Sequence, residues 1–403
     1  MIRTPEKMKS VHSDIRGPLF YEALKLEQSG MPVLKLNTGN PASFGFEMPS
    51  SVYDAIHGRE RLALGYCDFR GMPDAREAIA AYHRGCGIID LTHDDVFIGN
   101  GVSEVTGFAL DSLLDPGDEV LVPTPCYSLW SNNIRMCGAK PVFYICDERS
   151  DWYPDVQDMA RKITDKTRAI VLINPNNPTG ALYSREILND VAELARRCGL
   201  VIFSDEIYDR LVMDGYKHTS IAAIAPDIPV ITMNGLSKSH CLCGFRIGWM
   251  AISGPRAETA AYRENIVKLT SLRLCSNALA QLVIPAALND TEYTRSMIEP
   301  GGRIYEQREA TVRELSKIPS ISFVKNRAAF YLFPKIDIKK HAIKDDRVFA
   351  RDLLLSTGIL AVPGSGFEWQ APDHLRLVML PTADELACAI KRIGSFLDGY
   401  HQK

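Results

Sequence analysis

The 403-residue chain has no apolar run long enough to span a membrane, and its opening MIRTPEKMKS lacks the apolar core of a secretory signal. Residence in the cytoplasm is the expectation. An excess of one charge is also missing. A formal net charge of −3 and a pI near 6.3 give no general pull toward nucleic acid or anionic membrane. Internal repeats, low-complexity tracts, long linkers and an appended DNA-binding segment are all absent. Ten cysteines are present without a framework: all are scattered singly except Cys241 and Cys243, whose CxC has no second pair at zinc-ligand spacing. No metal is expected, and most of these thiols read as small buried residues of a reducing compartment.

What remains is a chain of ordinary soluble composition, 46% apolar and 24% charged, long enough for two domains. Between about residues 95 and 255 short apolar runs alternate with helical patterns. The runs are DDVFIGN, DEVLVP, KPVFYIC, RAIVLIN, GLVIFSD, PVITMN and GWMAIS. They are filled with apolar residues instead of alternating, as strands buried on both faces of a parallel sheet are. SREILNDVAELARRCG, between two of them, predicts an amphipathic helix with Ser184 as N-cap, Ile187, Val191, Leu194 and Ala195 on one face, and Gly199 at the C-terminal cap. The expectation is an open α/β sheet. From about residue 300 helices mix with short strands such as SFVKN, AFYLFP and HLRLVML, which predicts a second, smaller α+β domain.

Open α/β sheets bind ligands at the carboxyl ends of their strands, and polar residues stand at those places here. GVSEVTGFAL follows VFIGN as a glycine turn opening a helix, where backbone N–H groups and the Ser103 hydroxyl suit an anion; alone this is equally a simple cap. NPNNPTG, Asn174–Gly180, is a stiff loop presenting Asn177. SDEIYDR puts Asp205 at a strand end with Tyr208 three residues on. A carboxylate there suits a protonated ring nitrogen and a phenol suits a ring oxygen. Singly, each reads more readily as a cap or a half-buried tyrosine. LSKSHCLCGFR, Leu236–Arg246, sets Lys238 eight residues before Arg246.

This ordered set, running GVSE, PCY, NPNNPTG, SDEIYD and LSKSHCLCGFR, resembles the pyridoxal-phosphate enzymes of fold type I, specifically the class I and II aminotransferases. The separations of Asn177 from Asp205 and of Lys238 from Arg246 match as well. The resemblance implies an α/β fold whose large domain, residues 48–295, holds a mostly parallel seven-stranded sheet and the cofactor. Residues 1–47 and 296–403 would form the small domain.

It also implies roles. Lys238 bonds to the aldehyde of pyridoxal 5′-phosphate and, once released by substrate, moves the α-proton as base and acid. Burial beside the cationic Arg246 is expected to lower its pKa. Arg246 forks onto the cofactor phosphate, with Gly101, Val102, Ser103 and Ser237 completing the phosphate cup. Asp205 keeps the ring nitrogen protonated, Asn177 and Tyr208 hold the ring oxygen, and Tyr127 stacks on the ring. Tyr66, in GYCDFRG, and Ser276, in CSNALAQ, match residues that serve the other subunit's site, which implies a homodimer. Arg376, in HLRLVML, matches the arginine that grips the substrate α-carboxylate, with Gly39, in LNTGNP, beside it.

Within the family the chain is most similar to bacterial alanine aminotransferases, through DIRGP (Asp14–Pro18), LNTGNPASFGF, CDERSDWYPD, PGGRIYEQR and LDGYHQ. The implied reaction is ping-pong exchange of an amino group between L-alanine and 2-oxoglutarate, a step of amino acid metabolism. Arg16 is placed to bound the side-chain pocket or meet glutamate's distal carboxylate. The chain departs from that subgroup at Ser13, at Cys126 and Ser128, at Cys241 and Cys243, and at Ala328. If these open or re-aim the pocket, a second outcome stays available: β/γ-elimination, replacement or annulation of another amino acid such as S-adenosylmethionine. A cofactor-binding sensor without turnover is disfavoured by the missing DNA-binding segment.

Overall fold

The computed structural model describes residues 2–403. All seven apolar runs form strands: β1 Val96–Asn100, β2 Glu119–Thr124, β3 Lys140–Asp147, β5 Thr167–Ile173, β6 Val201–Asp205, β7 Val230–Gly235 and β8 Ile247–Ser253. A two-residue edge strand, β4 Tyr153–Pro154, joins them, so the sheet has eight strands where seven were expected. Two residues are too few to show a hydrophobic period, which is why this strand has no signature.

The sheet order is β1-β8-β7-β6-β5-β2-β3-β4. Neighbours from β7 to β3 pair in parallel, β8 runs antiparallel to both β1 and β7, and β4 runs antiparallel to β3. The carboxyl ends of β1, β2, β5, β6 and β7 therefore share one edge. Because β8 runs the other way, its start, directly after Arg246, lies at that same edge. Apolar clusters cover both faces. One holds Trp249, Leu172, Ile202 and Val230, the other Phe97, Trp130, Val171 and Phe203.

The helix Arg185–Cys198 is closed as its sequence predicts. The Ser184 side chain accepts from the Ile187 N–H at 3.4 Å, and Gly199 sits at φ 63°, a left-handed conformation that glycine adopts without strain.

The two chain ends meet in a separate apolar core. Leu36 packs there with Leu315, Leu332, Leu353, Leu377 and Ile390. Short strands β9 Tyr331–Leu332, β10 Val362–Pro363 and β11 Leu375–Val378 form a three-stranded sheet ordered β9-β11-β10. The strand Leu34–Lys35 pairs in parallel with Ile359–Leu360. Among the described residues no helix is long and apolar enough to cross a membrane, and no group of three or more His, Cys, Asp or Glu is placed to hold a metal.

Candidate active site

The carboxyl edge of the sheet brings most of the candidate residues together. The turn after β7 carries Ser237 and Lys238. The Lys238 amine donates to the Gly39 carbonyl at 2.8 Å and lies 3.8 Å from the Cys243 sulfur. Gly39 has no room for a side chain: a Cβ there would overlap the Tyr331 hydroxyl and the Phe330 ring. That hydroxyl in turn shares a 2.9 Å hydrogen bond with Tyr208.

The Arg376 guanidinium, only 1% exposed, is sandwiched between the rings of Tyr331 and Phe367, 4.6 and 4.7 Å from their centroids. It donates to the Asn177 side-chain oxygen at 3.1 Å and to the Asn37 carbonyl, while its Nε has no partner. Asp205 ends β6 in full burial and accepts from the Trp130 indole at 3.2 Å and the Ile207 N–H at 3.3 Å. Lys238, Tyr208, Asn177, Arg376 and Gly39 thus form one cluster joined through Tyr331, with Asp205 near enough to act on Lys238 and Tyr208.

The electrostatics follow from burial. Desolvation pushes the Asp205 carboxyl up to about 6, against the pull of the Trp130 and Ile207 hydrogen bonds and of Lys238. Burial likewise drives the Tyr208 phenol well above its ordinary value, with Tyr331 adding to the effect. Lys238 corrects the expectation. Burial does lower its proton affinity, but Tyr331, Cys243 and Tyr127 together outweigh burial, and the net shift is upward. The cation opposing them is Arg376. Arg246 is not among the largest influences on this amine; it is exposed and bonded to the Cys243 and Asn100 carbonyls.

At the phosphate end of the cluster, Gly101 opens the helix Val102–Asp111 at φ 87°. A Cβ on it would overlap the Arg246 guanidinium, and one on Gly248 would overlap the Val102 N–H. Arg246 donates to the carbonyls of Cys243 at 3.1 Å and Asn100 at 3.4 Å. Ser103 is exposed at the first turn of that helix, and Ser237 is buried.

The donor set fits pyridoxal phosphate. A cradle free of Cβ atoms, lined by a helix start and an exposed guanidinium, suits the phosphate. A buried carboxylate suits a protonated ring nitrogen, and an amine stands at the centre. Tyr127, half-buried, is near enough to act on Lys238 and Arg376.

The remaining expected residues stand apart. Tyr66 is 82% exposed. Ser276 is buried and its hydroxyl accepts from Gln281 at 3.0 Å. Arg16 is exposed on the turn Asp14–Arg16, with no hydrogen bond to the cluster.

The altered cysteines separate as well. Cys126 is wholly buried among Trp130, Val122 and Ile134, and burial pushes its thiol well up. Cys241 is buried beside Tyr208 and Met297, with its thiol pushed up to about 11 by burial. Only Cys243 reaches the amine. Sequence reasoning missed Trp130, Tyr331, Phe367 and Asn37. The tryptophan of CYSLW and the tyrosine of AFYLFP were visible as aromatics, but nothing local told them from core.

A separate cavity of about 410 Å³, lined by Ile88, Leu91, Asp95, Ala222 and Arg256 among others, shares no residue with this cluster.

The family model for aminotransferase class I and II matches residues 31–393. The chain is similar to the glutamate-pyruvate aminotransferase AlaA of Escherichia coli (strain K12), with 47% identity over 401 residues covering 100% of this chain and 99% of that protein. It is similar also to the alanine aminotransferase of Mycobacterium tuberculosis (strain ATCC 25618 / H37Rv), with 46% identity over 397 residues, 98% of this chain and 92% of that one. A crystal structure of an aminotransferase from Escherichia coli matches with a TM-score of 0.98 and 46% identity, covering 100% of both chains.

Proposed function

This chain belongs to the class I and II aminotransferases, pyridoxal-phosphate enzymes of fold type I, and from that premise we propose that it exchanges the amino group between L-alanine and 2-oxoglutarate, giving pyruvate and L-glutamate. The observation that carries the reading is the juxtaposition of the Lys238 amine with the Gly39 carbonyl and, through Tyr331, with the Arg376 guanidinium. The full-length similarity to enzymes named for glutamate, pyruvate and alanine supports the substrates.

The residues divide the work. Arg376 binds the substrate α-carboxylate as a planar fork, held flat by Tyr331 and Phe367. Pyridoxal phosphate, when bound, supplies an aldehyde carbon to carry the amino group and a ring that accepts the electron pair left on the α-carbon. Arg246, with the backbone at Gly101 and Val102 and the hydroxyls of Ser103 and Ser237, would hold its phosphate. Asp205 keeps a proton at the ring nitrogen, steadied by Trp130. Asn177 and Tyr208 orient the ring oxygen, and Tyr127 covers the ring face. The Lys238 amine takes the proton from the substrate α-carbon and is the group that returns it, with the Gly39 carbonyl as its resting partner. Arg16, exposed and apart from the cluster, would meet a distal carboxylate only if the turn Asp14–Arg16 moved toward Arg376.

The same reading assigns the cofactor to residues 48–295 and the carboxylate grip to the small domain of residues 1–47 and 296–403. It also includes a cytoplasmic homodimer. Support for the dimer comes from Tyr66 and Leu64, 82% and 83% exposed in the loop before Pro73, and from Leu272 and Leu274, exposed near Ser276. Apolar residues exposed in this way are ones that a second copy of the chain would cover.

The test is a half-reaction screen. Purified protein is mixed, without keto acid, with L-alanine, L-glutamate, other amino acids or S-adenosylmethionine, while cofactor absorbance and product masses are followed. Rapid conversion by alanine and glutamate is expected. Inertness to both, with loss of a β- or γ-substituent from another amino acid, would overturn the assignment.

A further inference from the structure

Cys243 has no part in the reaction as described, yet its thiol is the side chain placed against the reacting amine. The chain from Lys238 to Arg246 turns back on itself, so that the sulfur lies 3.8 Å from the Lys238 nitrogen. Both groups point at one acceptor, the Gly39 carbonyl, at 2.8 Å from the nitrogen and 4.0 Å from the sulfur, and the thiol also donates to the Ser237 carbonyl at 2.9 Å. Cys243 is partly exposed, whereas its neighbour Cys241 is buried in an apolar cluster. A site that admits an amino acid also admits hydrogen peroxide, which is smaller.

We infer that Lys238 and Cys243 form a reversible sulfur–nitrogen bond when the enzyme meets a hydroperoxide while Lys238 is free of cofactor. The chemistry balances in two steps. The Cys243 sulfur attacks the peroxide, the O–O bond breaks, and two electrons pass from sulfur to oxygen; with hydrogen peroxide the products are a sulfenic acid and water. Lys238 first passes one ammonium proton to solvent base, and the free amine then attacks that sulfur. The S–N bond forms, the S–O bond breaks, and hydroxide leaves with the amine proton as water.

Two thiols reverse the process. The first attacks the sulfur, and Lys238 leaves as the amine with a proton. The second releases Cys243 as the thiol, and the two reductant molecules end as a disulfide. In the locked state the amine is unavailable to cofactor and substrate alike. Sulfinic or sulfonic acid, which thiols do not reverse, is avoided because the amine captures the first oxidation product.

The dependence on a free Lys238 rests on the proposed role of that lysine, but the bond itself does not. Holoenzyme is treated with hydrogen peroxide with and without L-alanine, denatured, alkylated and digested with trypsin without reductant. With alanine, the expected product is the peptide His218–Arg246, uncleaved after Lys238 and lighter by two hydrogen atoms. Dithiothreitol should return it to Ser239–Arg246 with both cysteines alkylatable. Cys241→Ser should still form it and Cys243→Ser should not. Borohydride reduction, which fixes the cofactor on its lysine, should suppress it.

Cleavage after Lys238 with the two-hydrogen loss confined to Ser239–Arg246 would mean a Cys241–Cys243 disulfide and overturn the inference. So would Cys243 ending as sulfinic or sulfonic acid with Lys238 cleaved. Equal yields with and without alanine, unaffected by borohydride, would leave the bond established and count instead against Lys238 as the cofactor lysine.

Discussion

Trp130 donates its indole N–H to the Asp205 carboxylate at 3.2 Å, and the two are fully buried together. A carboxyl pushed to about 6 by desolvation is costly to ionise inside the fold. Relative to an ordinary aspartate near 3.8, this amounts to ~3 kcal/mol above pH 6, a cost absent below pH 4 where the group is protonated in both states. The cofactor-free protein should therefore gain stability from this residue as pH falls from 7 to 4. Trp130→Phe removes a hydrogen bond that favours the ionised form and should steepen the gain by ~1–2 kcal/mol. Denaturant midpoints across that pH range check it, and the extra slope should vanish when Asp205→Asn is added.

Arg376 offers a second test. Its guanidinium is held flat between two rings with one nitrogen unpartnered. Arg376→Lys keeps the charge and loses the fork, so kcat/KM for both amino acids should fall by about a hundredfold or more. The absorbance of the bound cofactor should stay as it was. A matching loss of cofactor would move Arg376 from substrate grip to scaffold.

Gly101→Ala should act at the other end. Its φ of 87° disfavours any side chain, and the added methyl would displace Arg246. Cofactor Kd, from titration of the stripped protein, should rise about tenfold or more because Arg246 is displaced, while the backbone strain, common to free and bound protein, should show as a lower Tm.

His374 predicts an alkaline limb. Burial opposes its charge, but the hydrogen bond that Asp373 accepts at 2.6 Å and the charges of Asp373 and Glu148, the latter 3.6 Å away, win and hold its pKa above the ordinary value. A raised pKa gives stability that is complete below about 6.5 and lost as pH rises through the folded value. Asp373, held at about 2, and Glu148, also lowered, contribute above their ordinary range near 4 and lose it on acidification. Thermal unfolding of His374→Gln should show a lower Tm at pH 6 and a flatter decline toward pH 9.

The sheet was legible because strands buried on both faces are apolar along most of their length, as the central ones are, while Lys140–Asp147, beside the two-residue edge strand, is part-exposed yet carries an apolar run as well. So was the order of Asn177, Asp205, Lys238 and Arg246, since each follows or precedes such a run. Tyr331 and Trp130 were not legible, because their function depends on what lies opposite them: Arg376 and Tyr208 for one, Asp205 for the other. The direction of the Lys238 shift failed for the same reason. Sequence proximity to Arg246 said nothing of which groups act most on the folded amine, and the largest of those are Tyr331, Cys243, Tyr127 and Arg376. The three suspect cysteines looked alike in sequence, and only burial told Cys243 from Cys126 and Cys241.

The bond from Lys238 to the Gly39 carbonyl joins positions 199 residues apart. Closing so long a loop costs little more entropy than closing a shorter one. The amine thus has its resting partner only when the chain's first segment is docked on the sheet. A chain nicked or truncated ahead of the sheet carries an unanchored lysine. Competence for chemistry is in this way a report on the completeness of the whole polypeptide.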